Sequence, residues 1–365
     1  MKSKFKTFIL FLLMVFLIFI VTIFAKIIYF DVLGLGTTDT IYTVNTITND
    51  VQDKKDIANT VENTNVNKDT LNIQSYKKFF YNQLTNTQKK LYDGLYQNKE
   101  NMMSGTYKIS FGDVFSDILS QEDGQTKLGD DYQSAVEAFL YDNPDVFYID
   151  ANKLYLTVET SRKLLKKTYN VYIGASNGDN DTYYVDGFKS EEQVKKAMNR
   201  IDSIKNQVLY NLTTNDSYRN ILKIHDYLIS NVDYDQNYSS IGCYSIYGAF
   251  IDHKCVCEGY AKSLKYLLDS ANIPCVIVQG MATNSNGKTE NHAWNSVYLN
   301  DSWYYIDTTW NDPIIIGSGS ISKSVQYKYF LKGSNTMNKD HTLIYKFSDR
   351  GKTFWYPKTS EKDYK

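Results

Sequence analysis

Apolar residues recur at helical spacing along the middle of the chain and alternate with polar residues nearer its C-terminal end. The helical spacing predicts helices at 79–96, 131–141, 190–211 and 218–232, and one more after Cys257 that ends before Pro274. Runs rich in β-branched and aromatic residues predict strands at 146–148, 153–158, 168–173, 276–279, 292–299 and 303–308. Helices that precede an antiparallel sheet are typical of the α+β class.

The N-terminal end carries a different pattern, an uncharged apolar run from Phe8 to Ala25 that follows three lysines. As a helix this run would be about 27 Å long, close to the roughly 30 Å hydrocarbon core of a bilayer. Ile23 stands where a signal peptidase requires a small residue. We therefore expect an uncleaved signal anchor in the cell membrane, with the C-terminal part extracytoplasmic; secretion after cleavage is the alternative.

Charge excludes one class of partner. The 365 residues include 40 basic and 41 acidic side chains and have a formal net charge of −1. Because no basic excess is available to neutralise phosphates, we expect no nucleic-acid partner. The 42% of hydrophobic residues is enough for an ordinary globular core.

Four cysteines and four histidines supply the candidate chemistry, and three of them lie close together: His253, Cys255 and Cys257. Structural zinc sites normally take two separated pairs of ligands with Cys residues two to four apart, and this cluster has neither feature. We therefore expect no metal and no cofactor. Cys243 and Cys275 could form a disulfide, and Cys255 could pair with either, a choice that the sequence leaves open.

Cys257 stands at the predicted start of the helix that ends before Pro274. Unpaired N–H groups and the positive end of the helix dipole favour a thiolate at such a position. The same N–H groups can stabilise an oxyanion when the thiolate attacks an acyl carbon, and Gly259 would let the backbone approach closely. The alternative is a small apolar residue that caps a core helix.

A predicted hairpin brings a histidine to a carboxylate. If Leu299 pairs with Ser302 across a two-residue turn, Trp294 faces Asp307. His292 and Asp307 then share one face of the sheet as diagonal neighbours, roughly 7–8 Å apart at Cα and within reach of each other's side chains. The alternative is a hairpin whose polar residues point to solvent. A thiol, a His and an Asp together match the logic of an activated cysteine nucleophile.

The stretch from His225 to Pro313 resembles the transglutaminase-like superfamily, a papain-related group that includes many exported bacterial proteins. The segments that carry the resemblance are Ile224-His225-Asp226-Tyr227-Leu228, Val232-Asp233-Tyr234-Asp235, Tyr247-Gly248-Ala249-Phe250, Val256-Cys257-Glu258-Gly259-Tyr260-Ala261, His292-Ala293-Trp294-Asn295 and Ile306-Asp307-Thr308-Thr309-Trp310. Further segments resemble exported bacterial relatives more loosely, namely Asp142-Asn143-Pro144 with Phe147, Tyr329-Phe330-Leu331 and Asp340-His341-Thr342.

The resemblance implies a catalytic triad in which Cys257, not Cys255, is the nucleophile, His292 the base and Asp307 the third member. It also implies a fold, a papain-like transglutaminase core in which the nucleophile helix packs on an antiparallel sheet. We expect a small α/β accessory region and an N-terminal transmembrane helix before this core. The predicted divisions are 1–30 (signal anchor), 31–74 (flexible stalk, from its polar composition), 75–190 (accessory region) and 191–365 (catalytic domain).

The implied activity is acyl transfer through a thioester, either transglutaminase cross-linking or peptidase or amidase action. The expected substrate is a protein or peptide at the cell surface, with cell-wall peptide as one candidate. The rival from another class is a catalytically silent surface module that binds wall glycan or peptide in the same cleft.

The remaining candidates receive lesser roles. His225, on an apolar helix face, is interpreted as structural, His253 as solvated, and His341 as a surface or packing residue. Tyr234 could place a hydroxyl near the oxyanion or pack. Trp294 and Trp310 are expected to line the cleft, with burial in the core as the alternative.

Overall fold

The computed structural model describes residues 16–25, 40–45, 73–163, 166–175, 181–213, 215–312 and 322–365. Residues 16–25 form helix α1, and the rest of the predicted anchor run, residues 8–15, lies outside the described residues. Within the ranges above, no helix combines the length and the apolar character needed to cross a membrane.

The first half of the described chain builds a helical layer and an antiparallel sheet. Its helices are α2 (Ile73–Lys77), α3 (Asn86–Gln97), α4 (Lys99–Met102), α5 (Ser116–Leu119) and α6 (Gly124–Asp142). Its strands are β1 (Thr40–Asn45), β2 (Ile109–Gly112), β3 (Tyr155–Lys163) and β4 (Lys166–Gly174), arranged in the order β1-β3-β4-β2. Thr85 forms a capping box with Gln88 at the start of α3.

Strand β1 corrects the prediction of a flexible stalk over 31–74. Residues 40–45 pair antiparallel with β3 from Thr40↔Thr160 to Asn45↔Tyr155. Their alternation of Thr, Ile, Tyr and Val suits an edge strand, and Val44 is buried. The low hydrophobicity of the surrounding residues hid this short segment. Residues 31–39 and 46–72 of the predicted stalk lie outside the described residues.

The predicted strand at 146–148 is wrong. These residues form successive turns after Pro144, with the N–H of Val146 donating to the carbonyl of Asn143 at 3.1 Å. The three consecutive residues Val146, Phe147 and Tyr148 are all buried. A strand at the surface of a core alternates between buried and exposed residues, so this continuous burial has another origin, a loop that is covered on all sides.

The second half carries the candidate chemistry on three long helices and a second sheet. The helices are α7 (Glu191–Tyr210), α8 (Ser217–Asn231), α9 (Cys257–Ser270), α10 (Lys323–Gln326) and α11 (Ser334–Met337), and a π-helical turn spans Gly248–Asp252. The strands are β5 (Asp233–Tyr234), β6 (Lys254–Cys255), β7 (Cys275–Thr283), β8 (Thr289–Leu299), β9 (Ser302–Ile306) and β10 (His341–Leu343). An antiparallel sheet runs in the order β10-β7-β8-β9, while β5 and β6 form a short parallel pair.

The β8–β9 hairpin has the predicted register. Leu299 pairs with Ser302, and the ladder continues to Asn295↔Ile306. The two turn residues, Asn300 and Asp301, have φ values of 46° and 61°, which a type I′ turn requires and which Asn and Asp tolerate better than most residues. The next pair along the ladder places Asp307 opposite Trp294.

Helix α9 packs against β7 and β8 and against α7 and α8. Lys265 on this helix is buried, and its ammonium lies 2.8 Å from Asp269 Oδ2 and donates to the carbonyl of Cys275 at 3.0 Å. Burial opposes its charge, but Asp269 and then Asp142, from the end of α6, raise the pKa of Lys265. A buried ammonium thus takes counter-charges from both halves of the chain.

The C-terminal segment also returns to the first half. Arg350 Nε lies 2.8 Å from Asp130 Oδ1, and the Lys352 N–H donates to Ser134 at 3.0 Å. Both partners belong to α6. One continuous cluster of buried apolar residues contains members from both sides of residue 190.

Candidate active site

Helix α9 begins at Cys257, and the preceding N-cap residue, Val256, gives no side-chain cap. The N–H groups of the first turn are therefore left for another acceptor. All four cysteines lie among the described residues and all are free; Cys257 is half-buried, whereas the other three are buried. The disulfide that the sequence left open is absent, and Cys257 is the thiol with access to solvent.

Gly259 is required for this arrangement. A Cβ built at this position would lie 2.5 Å from the Cβ of Cys255 and 2.7 Å from the carbonyl oxygen of Cys243. A larger residue would push the first turn of α9 away from the β6 strand, and Cys257 would move with it. The glycine therefore serves close packing of the helix start.

His292 and Asp307 meet as the hairpin register predicts. Nε2 of His292 lies 2.9 Å from Oδ2 of Asp307, and both residues are buried. The other carboxylate oxygen of Asp307, Oδ1, accepts a hydrogen bond from the backbone N–H of Trp310 at 3.1 Å. Since Nε2 faces Asp307, Nδ1 is the ring nitrogen left for the Cys257 thiol, which hydrogen-bonds the imidazole. The three predicted residues thus form one connected chain.

The charges of His292 and Asp307 depend strongly on each other. Burial alone would lower the pKa of His292, but the Asp307 carboxylate and the hydrogen bond with Cys257 raise it to about 10. Burial likewise opposes ionisation of Asp307, yet His292 and His341 hold its pKa below the usual range of an aspartate. The site therefore favours a protonated imidazole beside an ionised carboxylate, which is the state that His292 reaches when it takes a proton from the thiol.

His341 is the residue that the sequence reasoning missed. The sequence predicts a surface or packing residue, but His341 is buried, and its Nε2 lies 3.2 Å from the same Oδ2 of Asp307. Its Nδ1 lies 2.7 Å from Asp340 Oδ1. His341 lies on β10, which pairs with β7 at the opposite edge of the sheet from β9, the strand that precedes Asp307. The Asp340-His341-Thr342 segment is visible in the sequence, but no local pattern indicates this contact.

The donor atoms of His292, Asp307 and His341 lie within 4.8 Å of one another, a spacing that a metal ion could use. Both imidazoles instead direct Nε2 at one oxygen of Asp307, and hydrogen bonding accounts for every donor atom in the cluster. No other group with ligand spacing occurs within the described ranges, so His253, Cys255 and Cys257 do not converge. His253 is exposed, and its Nδ1 lies 3.0 Å from the Asn231 carbonyl.

Two tryptophans frame the imidazoles in different ways. Trp294 is only 1% exposed and lies in the core, so the expectation that it lines the cleft is wrong. The space for its ring comes from Gly280, where an added Cβ would lie 2.3 Å from a ring carbon. Trp310 is half-buried, with ring centroids 5.3 Å from His292 and 4.7 Å from His341. Trp310 therefore shields the two imidazoles from solvent.

His225 supports the site without joining it. This residue is buried, with Nδ1 3.0 Å from Asp226 Oδ1 and Nε2 3.0 Å from Asn311 Nδ2. The Asn311 N–H donates in turn to the Asp307 carbonyl at 3.2 Å. His225 thus holds the loop that follows Asp307, as its structural interpretation requires.

The hydroxyl of Tyr234 lies within electrostatic reach of Cys257. Burial and then the charge of Cys257 raise the pKa of its hydroxyl, so it stays protonated under ordinary conditions. The half-buried ring packs at the edge of the core.

A cleft of about 630 Å³ opens beside the triad. Its lining includes Glu258, Gly280 and Asn291, which are immediate sequence or ladder neighbours of Cys257 and His292. The opposite wall comes from α6 and the 143–152 loop of the first half. A larger depression, of about 760 Å³, lies along α7, and its polar lining includes no sequence or ladder neighbour of Cys257 or His292.

Comparison with known proteins gives one family. The model of the transglutaminase-like superfamily matches residues 204–308. Kyphoscoliosis peptidase from Mus musculus is 32% identical over 66 residues, which is 16% of this chain and 10% of that protein. The human protein of the same name is 30% identical over the same length. The chain thus spans about a tenth of the length of the curated relatives it matches.

Among solved structures, a TGase has 16% identity and a TM-score of 0.28, covering 47% of this chain and 48% of its own. The periplasmic domain of TgpA from Pseudomonas aeruginosa has 11% identity and a TM-score of 0.24, covering 43% of this chain and 72% of its own. The matched stretch, which contains Cys257, His292 and Asp307, identifies a transglutaminase-like superfamily domain within an α+β chain. This family supports a cysteine-dependent acyl-transfer or peptidase type of protein.

Proposed function

We propose that this chain is an extracytoplasmic enzyme that transfers acyl groups through a thioester on Cys257. The observation that carries the proposal is the series of contacts from the Cys257 thiol through His292 to Asp307, at a helix start whose second residue, Glu258, lines an open cleft. Its substrate is a carboxamide or peptide bond of a protein or peptide at the cell surface, with cell-wall peptide as a candidate. The apolar run behind three lysines supports the location.

The first half-reaction forms the thioester. Nδ1 of His292 takes the thiol proton, and the Cys257 sulfur attacks the acyl carbon. N–H groups at the start of α9 stabilise the negative oxygen of the tetrahedral intermediate. When the intermediate collapses, the C–N bond breaks and His292 returns its proton to the departing ammonia or amine. Asp307 holds the imidazole in position and stabilises its positive charge.

The second half-reaction resolves the thioester. An amine or a water molecule gives a proton to His292 and attacks the acyl carbon, and the C–S bond breaks. The Cys257 sulfur then recovers the proton from His292. An amine nucleophile gives a cross-linked amide, as in a transglutaminase, and water gives a carboxylic acid, as in an amidase or peptidase.

Either of two structural features would favour the rival proposal, a catalytically silent binding module. One is a Cys257 held in a disulfide, and the other is an Asp307 turned away from His292. Cys257 is a free thiol, and Asp307 lies 2.9 Å from His292. Both observations favour the enzyme.

Labelling and turnover test the proposal together. We expect iodoacetamide to label Cys257 first in the folded protein, because the other three thiols are buried. A peptide library offered with a biotinylated amine, with ammonia release measured in parallel, should show turnover that Cys257→Ala abolishes. Cys243→Ala is the matched control and should retain it. Turnover that survives in Cys257→Ala would remove the assignment.

A further inference from the structure

The cleft beside Cys257 has walls from both halves of the chain. The catalytic side contributes Glu258 and Asn291, while α6 and the loop after it contribute Tyr141 and Phe147. A volume of about 630 Å³ falls in the range of sites that hold a small ligand or a short peptide segment. The first half therefore supplies surface that a substrate at Cys257 would contact.

Tyr141 is the residue of this wall that shares a packing cluster with Cys257. Its ring packs against the small buried cluster of Ala261, Ile277 and Ala293, against which Cys257 also packs. On its other side the ring lies against Phe80 and Phe347, with centroids 5.8 Å and 4.9 Å away. The aromatic ring is therefore fixed between the accessory core and the nucleophile.

The backbone that carries Tyr141 is fixed as well. The next residue, Asp142, is buried and accepts the N–H groups of Phe80 at 3.0 Å and Tyr81 at 2.9 Å. The end of α6 is thereby tied to the segment before α3. A side chain held at both its ring and its backbone is prearranged and loses little freedom when it binds a ligand.

The hydroxyl of Tyr141 is not used inside the protein. It makes no hydrogen bond to any part of the chain that the structure describes, although other buried tyrosines, such as Tyr132 and Tyr260, donate to carbonyl oxygens. Burial raises the pKa of Tyr141 well above its ordinary value, and the charges of Glu258, Glu137 and Cys257 act in the same direction. The group is thus a neutral donor in the wall of the cleft, without an acceptor among the described residues.

We propose that the Tyr141 hydroxyl donates a hydrogen bond to the carbonyl oxygen of the acyl donor while Cys257 attacks it. The acyl donor is a peptide segment lying in the cleft between the two halves, so the accessory region completes the active site. This inference rests on the proposed function, since it concerns the same thioester chemistry. A donor aimed at the developing oxyanion would assist the N–H groups at the start of α9.

Replacing Tyr141 by Phe in the full chain tests this role, because only the hydroxyl is lost. We expect kcat/KM for the peptide acyl donor to fall by about 10²-fold, the usual effect of removing one oxyanion donor. The rate of iodoacetamide labelling at Cys257 and the melting temperature should stay at wild-type values. Tyr96→Phe, a partly exposed tyrosine of the same region, is the matched control and should change neither activity nor stability.

A second measurement does not depend on turnover. The probe is an N-acetylated tripeptide aldehyde. The Cys257 thiol adds to its C=O bond: the sulfur forms a C–S bond to the carbonyl carbon, and the thiol proton turns the carbonyl oxygen into a hydroxyl. We expect Tyr141→Phe to weaken its binding by about tenfold or more, the loss of one hydrogen bond to a polarised oxygen.

The outcomes separate the two proposals. Equal aldehyde affinity in wild type and Tyr141→Phe would overturn the role of Tyr141, as would an activity loss matched by slower labelling and a lower melting temperature. A wild type that binds the aldehyde more tightly than Tyr141→Phe but never turns over an amide would overturn the proposed function and leave the Tyr141 contact supported.

Discussion

His225 and His292 are both buried, and each contacts an aspartate at about the same distance, 3.0 Å and 2.9 Å. Burial lowers the pKa of His225 in spite of Asp226, whereas Asp307 and Cys257 overcome burial and raise the pKa of His292 to about 10. The Asp226 side chain is 40% exposed, while that of Asp307 is fully buried. Water therefore screens the first pair and not the second.

The second ring nitrogen completes the difference. Asn311 accepts the Tyr329 N–H through Oδ1, which directs its amide N–H at Nε2 of His225. Nε2 must then be an acceptor, so His225 is neutral with its proton on Nδ1. In His292 the second nitrogen faces a thiol that can give up a proton. The comparison teaches that a buried His–Asp contact alone does not make an imidazole basic. The partner of the second ring nitrogen must also leave that nitrogen free to accept a proton, as a thiol does and the Asn311 amide does not.

The largest expected effect comes from removing the buried charge. Asp307→Asn should lower kcat by about 10³-fold to 10⁴-fold, because the amide neither stabilises the imidazolium nor fixes the correct tautomer. The pKa of His292 should fall toward or below its ordinary value. Turnover of the acyl-donor peptide and NMR titration of the imidazole measure the two effects. Asp226→Asn is the control, and a comparable loss there would contradict the comparison.

His341 should have the next largest effect. His341→Gln removes one donor to Asp307 Oδ2, so the carboxylate is held less firmly against His292. We expect kcat to fall by about tenfold with little change in KM, since removing a hydrogen bond to a charged group has about this size. Steady-state kinetics check it. A kcat equal to wild type would show that His341 only packs.

The neutral state of His225 can be reversed. Asn311→Asp places a carboxylate oxygen where the amide donor stands, and a nearby opposite charge raises the pKa of an imidazole by about one to three units. NMR titration of His225 measures the change. If the pKa of His225 stayed below its ordinary value, burial alone, and not the amide donor, would explain its neutrality.

The smallest expected effect is on the pH dependence of the free energy of unfolding, and its sign differs between His292 and His225. The folded pKa of His292 lies above its unfolded value, so its contribution to the free energy of unfolding is complete below about pH 6.5 and is lost as pH rises through about 10. The folded pKa of His225 is depressed, so its contribution shrinks as pH falls below about 6.5.

Urea unfolding across this pH range measures both contributions. The stability difference between wild type and His292→Gln should narrow at alkaline pH, and that between wild type and His225→Gln should narrow at acidic pH. Two differences that varied with pH in the same direction would contradict the comparison.

Local patterns were enough to predict the contact between His292 and Asp307. A two-residue turn at 300–301 sets the register of the whole hairpin, so two residues 15 positions apart follow from one pairing, Leu299 with Ser302. The start of α9 at Cys257 followed from its apolar spacing in the same way. Short-range rules therefore predicted the nucleophile helix and the His–Asp contact.

The features that were missed depend on distant parts of the chain. His341 lies 34 residues from Asp307 and meets it through the pairing of β10 with β7. Tyr141, more than a hundred residues before α9, lines the cleft and packs against a cluster that includes Ala261 of that helix. Strand β1 pairs across a similar distance with β3. No periodicity within one segment carries such information, since it arises only when the elements pack together.

The buried ammonium of Lys265 interacts electrostatically with carboxylates from both halves of the chain. Its counter-charges are Asp269 on its own helix and Asp142 at the end of α6. A shortened chain that began at residue 191 would keep the whole triad but lose Asp142 and the wall of the cleft. We expect such a fragment to be less stable than the full chain, since a buried charge would have lost part of its compensation. A boundary drawn from sequence similarity would thus separate Lys265 from one of its carboxylate partners.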